Sequence, residues 1–236
     1  MSKSLYIAEK PSVAQEFANA LKINGRRSDG YIESEQAIVT WCVGHLVTMS
    51  YPECYDPKYK RWSLETLPFL PKEFKYEVIP SVEKQFKIVS GLLNRPDVDT
   101  IYVCTDSGRE GEYIYRLVAQ MADVKDKAQK RVWIDSQTEE EILRGIREAK
   151  DETEYDNLSA SAYLRAKEDY LMGINFSRLL TLKYGQNISN YLRTGKNTVI
   201  SVGRVMTCVM GMVIRREREI RDFVKTPFYR VIGTFS

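Results

Sequence analysis

Up to about residue 150 the chain alternates short apolar runs with stripes of helical spacing. Leu5-Tyr6-Ile7-Ala8 and Thr100-Ile101-Tyr102-Val103-Cys104 are short and rich in β-branched and aromatic residues, which predicts buried strands. Tyr31-Ile32-Glu33, Ile38-Val39-Thr40-Trp41, Glu77-Val78-Ile79 and Arg131 to Ile134 predict further extended segments, with a Tyr- and Pro-rich loop in their midst. Ile114, Leu117, Val118 and Met121 recur at helical spacing, predicting a helix from Glu110 to Met121. Ser81 to Asn94 reads as another. Ser12 with Gln15, and Thr138 through Glu141, have the spacing of capping boxes at two more helix starts. The order predicts an α/β fold: a mixed-to-parallel sheet flanked by helices.

Beyond the charged stretch Lys150-Asp151-Glu152-Thr153-Glu154 the strand pattern stops. Long helices are predicted near Leu158 to Lys183 and Val202 to Asp222, so the expected domains are 1–150, 151–225 and 226–236. Thr226-Pro227 ends the last helix, and Phe228 to Phe235 has the pattern of a strand without a partner, which is the expectation for a truncated domain.

Composition narrows the class. A chain of 236 residues with 43% hydrophobic content can bury one good α/β core and part of a second module. No apolar run approaches the roughly 18 residues of a membrane helix, and Met1-Ser2-Lys3-Ser4 leads into a strand rather than a signal peptide, so a cytoplasmic protein without membrane contact is expected. Cys42, Cys54, Cys104 and Cys208 form no Cys-x-x-Cys pair, which predicts reduced, mostly buried thiols. The net charge of +3 is too mild to diagnose nucleic-acid binding by itself. Its distribution says more, because Arg204, Arg215, Arg216, Arg218 and Arg221 gather on one predicted helix.

Candidate chemistry sits where strands give way to helices. Thr105-Asp106-Ser107-Gly108-Arg109-Glu110-Gly111-Glu112 follows one predicted strand, and Glu9-Lys10-Pro11-Ser12 follows another. If the two strands lie parallel, their carboxyl ends share an edge and Glu9, Lys10, Asp106 and Glu110 converge. Asp106 and Glu110 would meet at the strand tip and could supply the one or two carboxylates with which Mg2+ binds beside phosphate oxygens. A glutamate can move a proton and a lysine can stabilise charge, which suits phosphodiester chemistry. The bland readings are an exposed Glu9-Lys10 ion pair and acids that complement a helix dipole.

These two motifs, together with Trp41-Cys42-Val43-Gly44-His45-Leu46 and Ser201-Val202-Gly203-Arg204-Val205, stand in the order found in type IA DNA topoisomerases, and essentially the whole chain resembles that family, in particular its bacterial topoisomerase III branch. The resemblance implies a Toprim fold for 1–150, the start of a helical DNA-binding domain for 151–225, and an enzyme that breaks, passes and rejoins DNA strands through a phosphotyrosine. It implies Glu9 as proton donor to the leaving 3′ oxygen, Lys10 as stabiliser of the transition state, and Asp106 and Glu110 as holders of Mg2+. Arg204 would contact DNA, mainly single-stranded, and so would Arg165, spaced i, i+4 from Asp169 on one helix face, a spacing equally open to an ordinary surface pair. No nucleotide cofactor is implied, and a monomer is expected. The nucleophilic tyrosine is expected after Ser236. Tyr191-Leu192-Arg193-Thr194 imitates its surroundings but precedes the Gly-Arg-Val segment, the wrong order for the family.

Some positions depart from the family pattern. Gly108 stands at the second aspartate of Asp-x-Asp-x-Glu, Met206 at a glutamine and Cys208 at a proline. They leave open an alternative, a non-catalytic DNA-binding module with a decayed metal site. Another Toprim protein, such as a primase or small nuclease, would not explain the Gly-Arg-Val segment before an arginine-rich helix. His45, the single histidine, and the aromatic residues Tyr31, Trp41 and Trp62 are each open to a structural or a functional role.

Overall fold

The computed structural model describes residues 2–235. Along the chain run β1 (Lys3–Ala8), α1 (Pro11–Ala20), β2 (Arg26–Ser28), β3 (Tyr31–Glu33), β4 (Ala37–Trp41), β5 (Val47–Met49), β6 (Tyr76–Val78) and α2 (Glu83–Leu93). There follow β7 (Val98–Cys104), α3 (Arg109–Met121), β8 (Ala128–Arg131), α4 (Glu139–Arg147), β9 (Lys150–Asp151), α5 (Asp156–Leu192) and α6 (Arg204–Arg221). Two compact units result, Met1–Arg61 with Leu70–Tyr170, and Trp62–Phe69 with Leu171–Ser236.

The first unit is built on a seven-stranded sheet of order β2-β3-β4-β1-β7-β8-β9. β1 runs parallel to both β4 and β7, β7 is parallel to β8, and the outer pairs are antiparallel. β5 and β6 pair separately. Strict alternation divides the core between two faces. Leu5, Ile7, Ile101 and Val103 pack on one side with Leu92, Leu93, Ile114, Leu117 and Val118 of α2 and α3. Tyr6, Ala8 and Cys104 face the other side with Val13, Ala14 and Phe17 of α1 and Ile142 of α4. Because the chain leaves β1 for β4 on one side and returns to β7 on the other, the ends of β1 and β7 form a topological switch point.

Several local expectations are corrected. α1 begins with Pro11 at its first position, whose fixed φ suits a helix start; no side chain caps it, and Gln15 bonds Asn19 instead of reaching back. Thr138 does precede α4, but its hydroxyl meets Ser136 while Glu141 accepts from the Asp135 amide and grips Arg144. β8 lies three residues earlier than expected, at Ala128–Arg131, because Ser107 captures the amide and carbonyl of Ile134. A 3-10 turn at Pro80–Val82 takes the expected first turn of α2. The charged stretch at 150–154 still contributes β9 to the sheet, and Glu152 within it is buried. Phe228 to Phe235 forms no strand; a single extended segment has no ladder partner to satisfy its backbone. The cysteines are all free, but only Cys42 and Cys104 are buried.

In the second unit, Asn175 receives the Phe69 amide at 2.6 Å and returns a bond to its carbonyl at 3.0 Å. The guanidinium of Arg178 lies 5.2 Å from the ring centre of Trp62, so that indole has a structural partner. Thr181 and Ser177 hydroxyls accept from the amides of Ile200 and Val202, tying the segment before α6 to α5. All of α6 is exposed, Met206 and Cys208 included.

Candidate active site at the ends of β1 and β7

The register of β1 and β7 sets Ala8 opposite Cys104, so the residues that follow each strand emerge side by side. Glu9 is buried, and its Oε2 accepts from the Asp106 amide at 3.4 Å. Lys10 is exposed, with Nζ 3.7 Å from Glu9 Oε1. Asp106 itself is exposed. Beside it a crevice of about 330 Å³ is lined by Thr105, Asp106, Ser107, Ser136 and Gln137 among others. Two sequence motifs about a hundred residues apart thus converge on one carboxylate-rich corner.

Glu110, in the first turn of α3, points away from that crevice. Its Oε1 lies 2.6 Å from His45 Nε2, and no contact joins its carboxylate to Asp106 among the described residues. The expected meeting of Asp106 and Glu110 is therefore corrected: the helix geometry turns Glu110 toward the loop after β4. His45, Glu110, Arg165 and Asp169 line a second cleft of about 490 Å³ together with Gly108, Arg109 and Tyr113. Arg165 Nε and Asp169 Oδ2 are 3.9 Å apart, both half exposed. Arg204 is exposed at the start of α6, in the other unit. Tyr31 and Trp41 pack against the sheet core.

The turn between β7 and α3 is held unusually tightly. Gly111 packs so closely on it that a Cβ there would lie 2.1 Å from the Asp106 carbonyl oxygen. Gly108 is different: its backbone is extended (φ 173°) and a Cβ would meet nothing within 4 Å, so glycine is not required by the fold at this position. Beneath the turn, Glu112 and Arg131, both fully buried, form an ion pair at 3.1 Å. Sequence reading missed this pair, although Glu112 and Arg116 at i, i+4 signalled a charged interaction on α3. Burial pushes the Cys42 thiol up to about 12, the charge of Glu9 adding to the effect, so this neighbour of the corner stays a neutral thiol.

Among the described residues no three His, Cys, Asp or Glu side chains converge as a closed metal cage. Asp106 and Glu110 are each exposed oxygen donors, the type that suits Mg2+ where one or two carboxylates act with water and phosphate oxygens, but they line separate clefts.

A parallel core with carboxylates at its switch point defines an α/β domain of the Toprim class, and residues 4–136 match the Toprim domain model. Residues 153–236 match the family model described as DNA topoisomerase. The chain is 41% identical over 231 residues to DNA topoisomerase 3 of Bacillus subtilis (strain 168), covering 98% of this chain and 30% of that protein. It is 43% identical over 227 residues to DNA topoisomerase 3 of Staphylococcus epidermidis, covering 96% and 30%, and 42% identical over 231 residues to that of Bacillus anthracis, covering 98% and 30%. The chain belongs to the type IA DNA topoisomerase family, and it is topoisomerase III-like. It spans 30% of the length of these curated relatives. The comparisons support this reading rather than the non-catalytic module.

Proposed function

We propose that the chain supplies the acid, charge-stabilising and metal-holding side of a topoisomerase III active site, in a protein that breaks and rejoins single DNA strands through a phosphotyrosine. The observation that carries this is the approach of Glu9 to the Asp106 amide at the joint end of β1 and β7. Glu9 would give a proton to the leaving 3′ oxygen, held in place by Lys10 and the Asp106 amide. The Lys10 ammonium would offset negative charge on the phosphate. Asp106 and Glu110 would hold Mg2+, which when bound neutralises phosphate charge. Arg165, braced by Asp169, and Arg204 would bind the DNA backbone. In this reading the partner is mainly single-stranded DNA, the protein is a cytoplasmic monomer, and 1–150, 151–225 and 226–236 are successive domains.

The nucleophile would be a tyrosine outside this chain. Tyr191, 86% exposed near the end of α5, is not assigned that role. Incubating the full-length protein with a single-stranded oligonucleotide and Mg2+, then denaturing, should trap a covalent adduct on a tyrosine other than Tyr191. Residues 1–236 alone should form none. An adduct mapped to Tyr191, or none with the full-length protein, would refute the assignment.

A further inference from the structure

Arg131 closes β8 with its side chain 0% exposed. Burying a guanidinium is costly unless its donors are used, and here most of them are spent on one place. Nη1 donates to the carbonyls of Thr105 at 2.8 Å, Val103 at 3.1 Å and Val132 at 3.1 Å, and Nη2 donates to the Asp106 carbonyl at 2.6 Å. Nε donates to Glu112 Oε2 at 3.1 Å, whose other oxygen takes Arg116 Nε at 2.8 Å. Three of the four carbonyls belong to the end of β7 and the turn that presents Asp106.

The turn has other tethers, each fixing a different atom. Thr105 Oγ1 donates to the Gly111 carbonyl at 2.8 Å and Ser107 Oγ to that of Ile134 at 2.8 Å. Only Arg131 binds the carbonyl of Asp106 itself among the described residues. A planar fork can span Thr105 and Asp106 at once; a lysine ammonium cannot reproduce that geometry.

We infer that Arg131, charge-balanced by Glu112, is a positioning residue that sets the backbone of Asp106 and so the direction of its carboxylate. This rests on the proposal that Asp106 and Glu110 hold the metal. The arginine side chain is itself 0% exposed, so it acts from beneath the turn. It does so by removing freedom from the turn, so that the Asp106 carboxylate meets a cation without its backbone first having to be ordered.

The test is a Mn2+ titration followed by electron paramagnetic resonance on the full-length protein, with melting temperature and affinity for a single-stranded oligonucleotide without metal recorded alongside. Arg131→Lys should weaken Mn2+ binding about tenfold, as loss of a ligand's support typically does, while leaving oligonucleotide affinity unchanged. A folded Arg131→Lys protein with native Mn2+ affinity overturns the inference. If that variant fails to fold, Glu112→Gln carries the test, since it keeps the guanidinium but removes its counter-charge; native Mn2+ affinity there is equally fatal. The double variant Asp106→Asn with Glu110→Gln separates the underlying reading. If it binds Mn2+ normally, the metal assignment is wrong; if it loses Mn2+ while Arg131→Lys does not, positioning by Arg131 is wrong.

Discussion

His45 Nε2 and Glu110 Oε1 stand 2.6 Å apart, joining the loop after β4 to the first turn of α3 across 65 residues of sequence. The ring lies edge-on to Tyr113, at a centroid separation of 6.0 Å. The imidazole is thus oriented by an aromatic neighbour and in turn fixes one oxygen of a carboxylate proposed to hold Mg2+. Partners that orient a ligand are worth about 10- to 100-fold in metal affinity. His45→Ala in the full-length protein is therefore expected to raise the Mg2+ concentration for half-maximal DNA cleavage about tenfold. Because Glu110 is largely exposed and His45 only partly buried, melting temperature should move little. An unaltered Mg2+ dependence would mean that His45 does not orient Glu110 for the metal.

Gly108 offers the opposite manipulation. Its extended backbone and open surroundings admit a side chain without strain. Gly108→Asp should change stability by no more than about 0.5 kcal/mol, the usual range at unencumbered surface sites. The added carboxylate beside the proposed ion should shift the Mg2+ requirement for relaxation to lower concentration. Relaxation measured against Mg2+ for both proteins decides it: the same optimum, with stability unchanged, would show that residue 108 does not face the metal.

Glu9→Gln removes a proton donor while nearly preserving shape. Cleavage by the full-length protein should fall by about 10²- to 10⁴-fold, the ordinary weight of general acid catalysis, with little loss of oligonucleotide affinity. Rate and affinity falling together would assign Glu9 a structural role, for which its burial and its bond to the Asp106 amide provide the means.

How far the sequence reveals this arrangement depends on whether an interaction is set by topology or by side-chain direction. Glu9 and Asp106 were legible as neighbours because both follow apolar strand runs, and parallel pairing brings such ends together. The direction of Glu110 was not legible, because its carboxylate is drawn to His45 and nothing in the spacing of residues 45 and 110 announces that contact. Arg131 was hidden by the general expectation that arginine is exposed; its burial is explained only by three carbonyls and Glu112 that the fold brings from distant segments, together with the carbonyl of its neighbour Val132. The tail from Phe228 shows the converse, since a strand-like pattern produces a strand only where a partner strand exists.

The buried charges below the site make a prediction about pH. Arg116 is shared by Glu112 at 2.8 Å, Glu152 at 3.1 Å and Asp156 at 2.9 Å, while Arg131 serves Glu112 from the other side. Three acids thus face two guanidinium groups, with the buried Tyr115 against the same cluster. Glu152 resolves the imbalance: burial, reinforced by the charge of Glu112, pushes its carboxyl up to about 8 from an ordinary 4.5, and neither of its oxygens makes a hydrogen bond. Between these values the folded state retains a proton that the unfolded chain has released. The contribution of Glu152 to stability is therefore complete below pH 4.5, declines as pH rises, and is lost above about 8. The slope is at most about 1.4 kcal/mol per pH unit. Glu152→Gln mimics the protonated form, so it should flatten this part of the stability profile and raise the melting temperature above pH 8 relative to the parent. Urea unfolding of both proteins from pH 5 to pH 9 checks it. Parallel profiles would mean that Glu152 is ionised in the folded protein and that Arg116 alone balances it.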